Sequence, residues 1–296
     1  MKILDGKLLS EQLLQILSAE VSSLKASGSR LPHLAAILVG DDQASKTYVN
    51  AKVKACEKVG FSSTLKHLPS DTSESELLTL IDELNADDEI DGFIVQLPLP
   101  KHIREEHIIR AIDPKKDIDG FHPVNLGLTA LNQTCFRPAT PLGILYLLAR
   151  NGISTEGKNV VVVGRSNIVG TPISLMLSRP AEPGNATVTL CHSKTSNMAE
   201  HLKRADIIIM AIGKAQFLKG DMVSDGVAVI DVGINPIASE KMKSGYRLVG
   251  DVDYDSVAPK CSAITPVPGG VGPMTIAALL MNTYQARTGK IIPLKA

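Results

Sequence analysis

Near the start of the chain, Leu8, Leu9, Leu13, Leu14, Ile16, Leu17, Val21 and Leu24 recur at helical spacing, which predicts an amphipathic helix over residues 7–26. The pattern then changes. Leu34–Val39 is a short continuous apolar run closed by Gly40, and reads as a buried strand. Ala44–Val59 is helical again and stops at Gly60. It is followed by strand-like Ser62–His67, a helix over Ser73–Asn85 and a strand over Gly92–Gln96. This order, β-α-β-α-β, implies a parallel sheet with right-handed crossovers.

Residues 113–141 interrupt the pattern with Pro, Gly and Asn and only weak periodicity. A second β-α alternation lies beyond them. Strands are predicted at Asn159–Val163, Ala186–Cys191, Asp206–Met210 and Val227–Asp231, with helices at Ile168–Ser178 and Asn197–Arg204. Pro141–Arg150 reads as a connecting helix, and Pro273–Arg287 as a helix with proline in its first turn. The expected fold class is two-domain α/β. A three-layer α/β domain covers residues 1–140, a second α/β domain covers 141–272, and a cleft separates them. A C-terminal segment, 273–296, packs back on the first domain.

Composition narrows the function. A length of 296 residues exceeds one ordinary core and fits about two domains. The 31 basic side chains are balanced by 31 acidic ones, which excludes nucleic-acid binding through bulk charge but not a local site for a small anion. Aromatic residues make up only 3%, so the cores must be packed from Leu, Ile, Val and Ala. Cys56, Cys135, Cys191 and Cys261 are scattered without a C-x-x-C, and the seven His form no ligand-like cluster. Neither a disulfide framework nor a metal site is expected. Met1–Gln12 carries Asp5 and Glu11, and apolar runs such as Ile207–Ile212 fall far short of the ~18 residues of a membrane span. A cytoplasmic protein with neither membrane nor nucleic-acid partners is expected.

One segment looks built for a nucleotide. Val160–Val163 runs into Gly164-Arg165-Ser166-Asn167-Ile168-Val169-Gly170, which opens a helix. This is the strand–turn–helix setting in which a pyrophosphate rests on helix N-terminal amides, although Ser166 departs from G-x-G-x-x-G and an ordinary βα turn would read the same way. The second strand ends in Cys191-His192-Ser193-Lys194, without the carboxylate that would bind a free ribose 2′-hydroxyl. Arg165, His192, Ser193 and Lys194 instead offer donors to a 2′-phosphate, so NADP is expected in preference to NAD in a Rossmann-like second domain.

A different set of residues could move protons. Tyr48 and Lys52 are four apart on one helix and share a face. A lysine acts as a base near neutral pH only when burial or a nearby cation lowers its pKa from ~10.4. Y-x-x-x-K also occurs in short-chain dehydrogenases, but there it follows the nucleotide loop, and here it precedes Gly164 by over a hundred residues. Gln96, at the end of a strand, could orient the Lys52 amine. Asp119, in Lys116-Asp-Ile-Asp-Gly-Phe-His-Pro123, could accept a pair of hydrogen bonds from a ligand. A strand-end amide and a turn-forming aspartate account for the same two residues without chemistry.

Together these segments resemble the bifunctional methylenetetrahydrofolate dehydrogenase/methenyltetrahydrofolate cyclohydrolase family. The resemblance is carried by Tyr48-Val-Asn-Ala-Lys52-x-Lys-Ala-Cys56, Asp91-Gly-Phe-Ile-Val-Gln-Leu-Pro-Leu-Pro100, Lys116–Pro123, Gly164–Gly170, Asp231-Val-Gly-Ile-Asn235 and Thr265–Thr275. It implies a cytoplasmic homodimer of one-carbon metabolism acting on tetrahydrofolate one-carbon derivatives, with the folate in the 1–140 domain. It further implies Lys52 as acid/base of the hydrolytic step, Tyr48 against the folate, Gln96 positioning Lys52, and Asp119 on the pterin. Val95, Gln96, Leu97 and the loop Pro268, Gly269, Gly270, Val271 and Gly272 would complete the folate site. Gly164, Arg165, Ser166, His192, Ser193 and Ile234 would meet NADP. The connection Ser178–Asn185 is longer than the family pattern. Two other readings are an NADP oxidoreductase resembling shikimate dehydrogenase and a folate- or NADP-binding module without turnover.

Overall fold

The computed structural model describes residues 1–239 and 245–295. Residues 240–244, within the range expected for the second domain, and Ala296, at the end of the expected C-terminal segment, lie outside the described residues. The chain divides into two units. The first comprises Glu11–Ala139 and Ile276–Pro293, and the second comprises Met1–Ser10, Thr140–Thr275 and the residues from Leu294 on.

The chain opens with β1 (Lys2–Ile3) and α1 (Gly6–Ala26). In the first unit, β2 (His33–Val39) lies between β3 (Ser62–Leu68) and β4 (Gly92–Val95) in an all-parallel sheet. Its six residues from Leu34 to Val39 are all buried, as a central strand covered on both faces requires. The crossovers are α2 (Gln43–Val59) and α3 (Glu74–Ala86). Asp42 caps α2 by accepting from the Ser45 N–H at 2.8 Å, and Gly60 ends it in a left-handed conformation. Ser73 and Glu76 form a reciprocal capping box at the start of α3. Leu77, Ile81 and Leu84 of α3 pack with Ala35, Ile37, Phe93 and Val95 of the sheet.

Past β4, in a stretch given no element from sequence, the structure contains α4 (Glu105–Ala111), and within 113–141, where weak periodicity predicts only irregular chain, it contains α5 (Pro123–Ala130). Each spans about two turns, too short for a hydrophobic period to stand out. Between them, Lys116–Asp117 runs beside β4: the Phe93 N–H donates to the Lys116 carbonyl at 3.0 Å. α6 (Ala139–Arg150) then leads into the second unit.

The second unit is built on a six-stranded parallel sheet in the order β1-β11-β8-β7-β5-β6. Its strands are β5 (Asn159–Val163), β6 (Thr187–Cys191), β7 (Ile207–Met210), β8 (Val227–Asp231) and β11 (Cys261–Ile264), with β1 at one edge. α7 (Gly170–Ser178) and α8 (Met198–Lys203) are among its crossovers. A separate antiparallel pair, β9 (Asn235–Ala238) and β10 (Tyr246–Val249), precedes the short α9 (Tyr254–Val257). α10 (Val271–Thr288) is the last helix. The first ten residues differ from the expected 1–140 domain. Lys2 and Ile3 register against Ala263 and Ile264, so the chain's start completes the second sheet. Two residues are too few to announce a strand in sequence.

The connection after α7 is tied down. The Thr155 hydroxyl both donates to the Gly184 carbonyl and accepts from the Gly184 N–H, at 2.8 and 2.7 Å. Together with Ala149 and residues 152–156 it lines a cavity of about 400 Å³.

Candidate active site and nucleotide loop

In the first unit the candidate side chains gather at the carboxyl end of the sheet. Gln96 follows β4 directly, and its N–H donates to the Ile37 carbonyl of β2 at 2.9 Å, extending the ladder by one residue. Lys52 lies on the buried face of α2 and is only 7% exposed. Its Nζ donates to Gln96 Oε1 at 3.1 Å. The other end of the Gln96 amide donates to the Leu97 carbonyl at 2.7 Å, which holds the amide oxygen toward the lysine. Tyr48 is half-buried one turn earlier on α2.

Charge and burial work against each other here. Burial pushes the Lys52 ammonium toward losing its proton, and the Asp119 carboxylate partly opposes that. Burial likewise raises the Asp119 carboxyl pKa, while Lys52 lowers it. Burial also raises the Tyr48 hydroxyl. Among the described residues no donor bonds the Asp119 carboxylate, so its oxygens are free to accept from a ligand. Its neighbour Asp117 has the opposite role. Asp117 is 2% exposed and accepts from the Phe121 and His122 N–H groups and from the Asn125 side chain, at 3.2, 2.8 and 2.8 Å. Asp117 shapes the turn by accepting its N–H donors, and Asp119 leaves its own carboxylate for other partners. Burial, helped by the Asp119 charge and opposed by those three donors, lifts the Asp117 carboxyl to about 7.

Sequence reasoning did not single out Asp117, Asn125 or Asn282, which all brace this turn. Asp117 does stand inside the Lys116–Pro123 motif, where an aspartate two residues before another hints at a split between shaping and binding. Tyr48, Lys52, Val95, Gln96, Leu97 and Asp119 all belong to the first unit, whereas Pro268–Gly272 belongs to the second. There the Gly269 carbonyl accepts from the Lys7 N–H at 2.9 Å.

In the second unit the chain leaves β5 toward β6 on one side and later returns as β7 on the other. This reversal of strand order makes the carboxyl ends of β5 and β7 a topological switch point, the usual ligand site of such sheets. Gly164 sits at that point with φ +123°, and a Cβ there would strike the Ala211 carbonyl oxygen. The loops after β5 and β7 can approach this closely only because the residue is glycine. Ser166, the departure from the glycine pattern, uses its hydroxyl to hold the approach to α7, accepting from the Val169 and Gly170 N–H groups at 3.2 and 3.4 Å. Arg165 and Ser166 are exposed in this loop.

The turn after β6 presents the remaining donors. The Lys194 N–H donates to His192 Nδ1 at 3.2 Å, so the neutral imidazole carries its proton on Nε2. Ser193 and Lys194 are exposed beside it. After β8, Ile234 is an apolar side chain 41% exposed at a strand's carboxyl end. Buried Asp231 accepts from the Gly233, Asp251 and Val252 N–H groups at 2.9–3.0 Å. Asp251 accepts from Ile212, Gly213 and the Asn235 amide at 2.8–3.0 Å. These two carboxylates set the loops after β7 and β8. Burial, with the Asp251 charge nearby, raises the Asp231 carboxyl to about 7.

Two family profiles divide the chain between them. Residues 4–119 match the tetrahydrofolate dehydrogenase/cyclohydrolase catalytic domain, and residues 138–290 match the NAD(P)-binding domain of the same family. The chain belongs to the tetrahydrofolate dehydrogenase/cyclohydrolase family. One relative, the bifunctional protein FolD of Cytophaga hutchinsonii, is 58% identical over 97% of this chain and 99% of its own. The crystal structure of the bifunctional enzyme FolD from Campylobacter jejuni is 48% identical, with a TM-score of 0.91 over 98% of this chain and 99% of that one. The Trypanosoma brucei dehydrogenase-cyclohydrolase, solved with NADP cofactor and an inhibitor, is 36% identical with a TM-score of 0.92 over 97% of both chains. Shikimate dehydrogenase of Aquifex aeolicus, at 11% identity and a TM-score of 0.52 over 89% of this chain and 95% of that one, shares the fold alone. Family membership therefore selects the folate reading over the shikimate one.

Proposed function

We infer that this chain is a bifunctional one-carbon folate enzyme. It oxidises 5,10-methylenetetrahydrofolate to the 5,10-methenyl cation with NADP, then hydrolyses that cation to 10-formyltetrahydrofolate. The observation that carries the reading is a buried lysine, held by an oriented amide and facing an unpaired carboxylate, in a chain of this family. NADP, when bound, supplies the hydride acceptor. The residues at the switch point fit it: a glycine at the close approach, Arg165 exposed, and no carboxylate after β6 to repel a 2′-phosphate.

The two steps ask different things of the protein. Hydride loss from the methylene carbon is assisted by the adjoining ring nitrogens, so that step needs orientation, which Tyr48 against the folate and Asp119 on the pterin provide. Hydrolysis needs a proton carrier. Water adds to the methenyl carbon as the neutral Lys52 amine takes its proton. That proton then passes from Lys52 to the departing nitrogen as its C–N bond breaks, the remaining hydroxyl proton of the added water is released to solvent as the C=O forms, and the formyl group stays on the other nitrogen. Burial keeps a neutral lysine accessible, and Gln96 Oε1 fixes where its Nζ stands. Val95, Leu97 and the Pro268–Gly272 loop line the folate. Gly164, Arg165, Ser166, His192, Ser193 and Ile234 serve the cofactor. The protein acts as a cytoplasmic homodimer, a reading supported by the family resemblance, and among the described residues no helix is long and apolar enough to cross a membrane.

Replacing Lys52 by Met tests the assignment. Hydrolysis of the methenyl cation, followed by its absorbance, should fall by roughly 10²-fold or more, while NADPH formation should survive to a far greater extent. Hydrolysis at the wild-type rate would refute the role given to Lys52. The same assay without any NADPH formation in the parent protein would favour a binding module.

A further inference from the structure

Helix α10 carries a buried amide that apolar packing does not account for. Asn282 is 1% exposed, and its Nδ2 donates to two carbonyls, Ile118 at 2.8 Å and Arg137 at 2.9 Å. Both carbonyls flank the turn that presents Asp119. The Ile118 carbonyl belongs to the peptide group leading into Asp119. The Asp119 carbonyl, in the peptide group leading out, accepts from the Ala139 N–H at 3.2 Å. Gly120 comes next with φ +73°, where a Cβ would stand 2.6 Å from the Arg137 carbonyl carbon and the Pro138 nitrogen. The Asp119 backbone is thus clamped on both sides against the 137–139 strand of chain.

Only a neutral side chain with two N–H donors can serve both carbonyls without burying a charge. Alanine would leave two buried acceptors unsatisfied, and serine could reach one of them. We propose that Asn282 is a positioning residue of the folate site, holding the Asp119 carboxylate at the geometry in which it grips the pterin. This rests on the assignment of Asp119 to the pterin. The charged groups acting on one another here are Lys52, Asp119 and Asp117, and Gln96 is the neutral partner of the lysine. An Asp119 carboxylate that drifts from its place no longer supports the Lys52 ammonium, so the pH limb of hydrolysis should move toward acid.

Steady-state kinetics on Asn282→Ala, Asp119→Asn and the double variant, at a temperature well below unfolding, provide the test. Asn282→Ala should raise the folate KM about tenfold or more, leave the NADP KM within about twofold, and shift the hydrolysis limb toward acid. The double variant should be no worse than Asp119→Asn alone, because both act through one carboxylate. If Asp119→Asn raises the folate KM and Asn282→Ala does not, the positioning role is overturned while the pterin assignment stands. If Asp119→Asn leaves the folate KM unchanged, the pterin assignment falls and takes the proposal with it. Equal rises in both KM values would mean general loosening and also overturn it. Should the alanine variant fail to fold, Asn282→Ser, with one donor kept, should show a smaller rise in the folate KM, and no rise would count against the proposal.

Discussion

A lysine ammonium buried beside an amide oxygen loses much of its hydration, and one neighbouring carboxylate sets how much of its proton affinity survives. Lys52, Gln96 and Asp119 form that balance, and each was identifiable as a residue type before any contact was known. The exposed Arg165 is a second case in which one side chain carries a decision. A guanidinium meeting a 2′-phosphate makes charge-assisted bonds worth about 1.5–3 kcal/mol. Arg165→Ala should therefore raise the KM for NADP by roughly tenfold or more and leave the KM for NAD nearly unchanged. Parallel titrations of the two cofactors check this, and equal changes would remove Arg165 from the 2′-phosphate site.

Elements with a full period and clear caps were readable from the chain alone. α2 begins within one residue of its expectation because Asp42 caps it, and it ends at Gly60 because only glycine takes the left-handed conformation there without cost. The 117–120 turn was not readable, since its shape depends on donors from Phe121, His122 and Asn125 converging on one buried carboxylate. That burial has a consequence for stability. Asp117 rises from its ordinary 3.8 to about 7 in the folded protein, so between those values the folded state holds a proton the unfolded chain has lost. Its contribution is present below about pH 4 and is lost as pH rises toward 7, by a few kcal/mol at most. The melting temperature of Asp117→Asn should accordingly decline less steeply than that of the parent between pH 4.5 and 7. A steeper or identical decline in the variant would contradict this, and Asp231, shifted the same way, remains in both proteins as a shared background.

For the whole molecule, ligand linkage provides the measurable quantity. A cofactor that binds only the folded chain stabilises it by RT ln(1 + [L]/Kd), about 2.7 kcal/mol at a hundred times Kd. NADP should raise the melting temperature more than NAD at equal concentration, and the reverse order would argue against the 2′-phosphate reading. The sequence by itself determined the α/β class, most crossovers and the glycine loop after β5, and it proposed the residue types of both candidate sites. Those features are local: periodicity, caps and turns act over a few residues. Only the tertiary structure decided that Lys2–Ile3 complete the second sheet and that Asn282 reaches Ile118 across 164 positions and Arg137 across 145. Hydrogen bonds between residues so far apart are formed by the packing of the elements that carry them, and no local pattern in the chain encodes them.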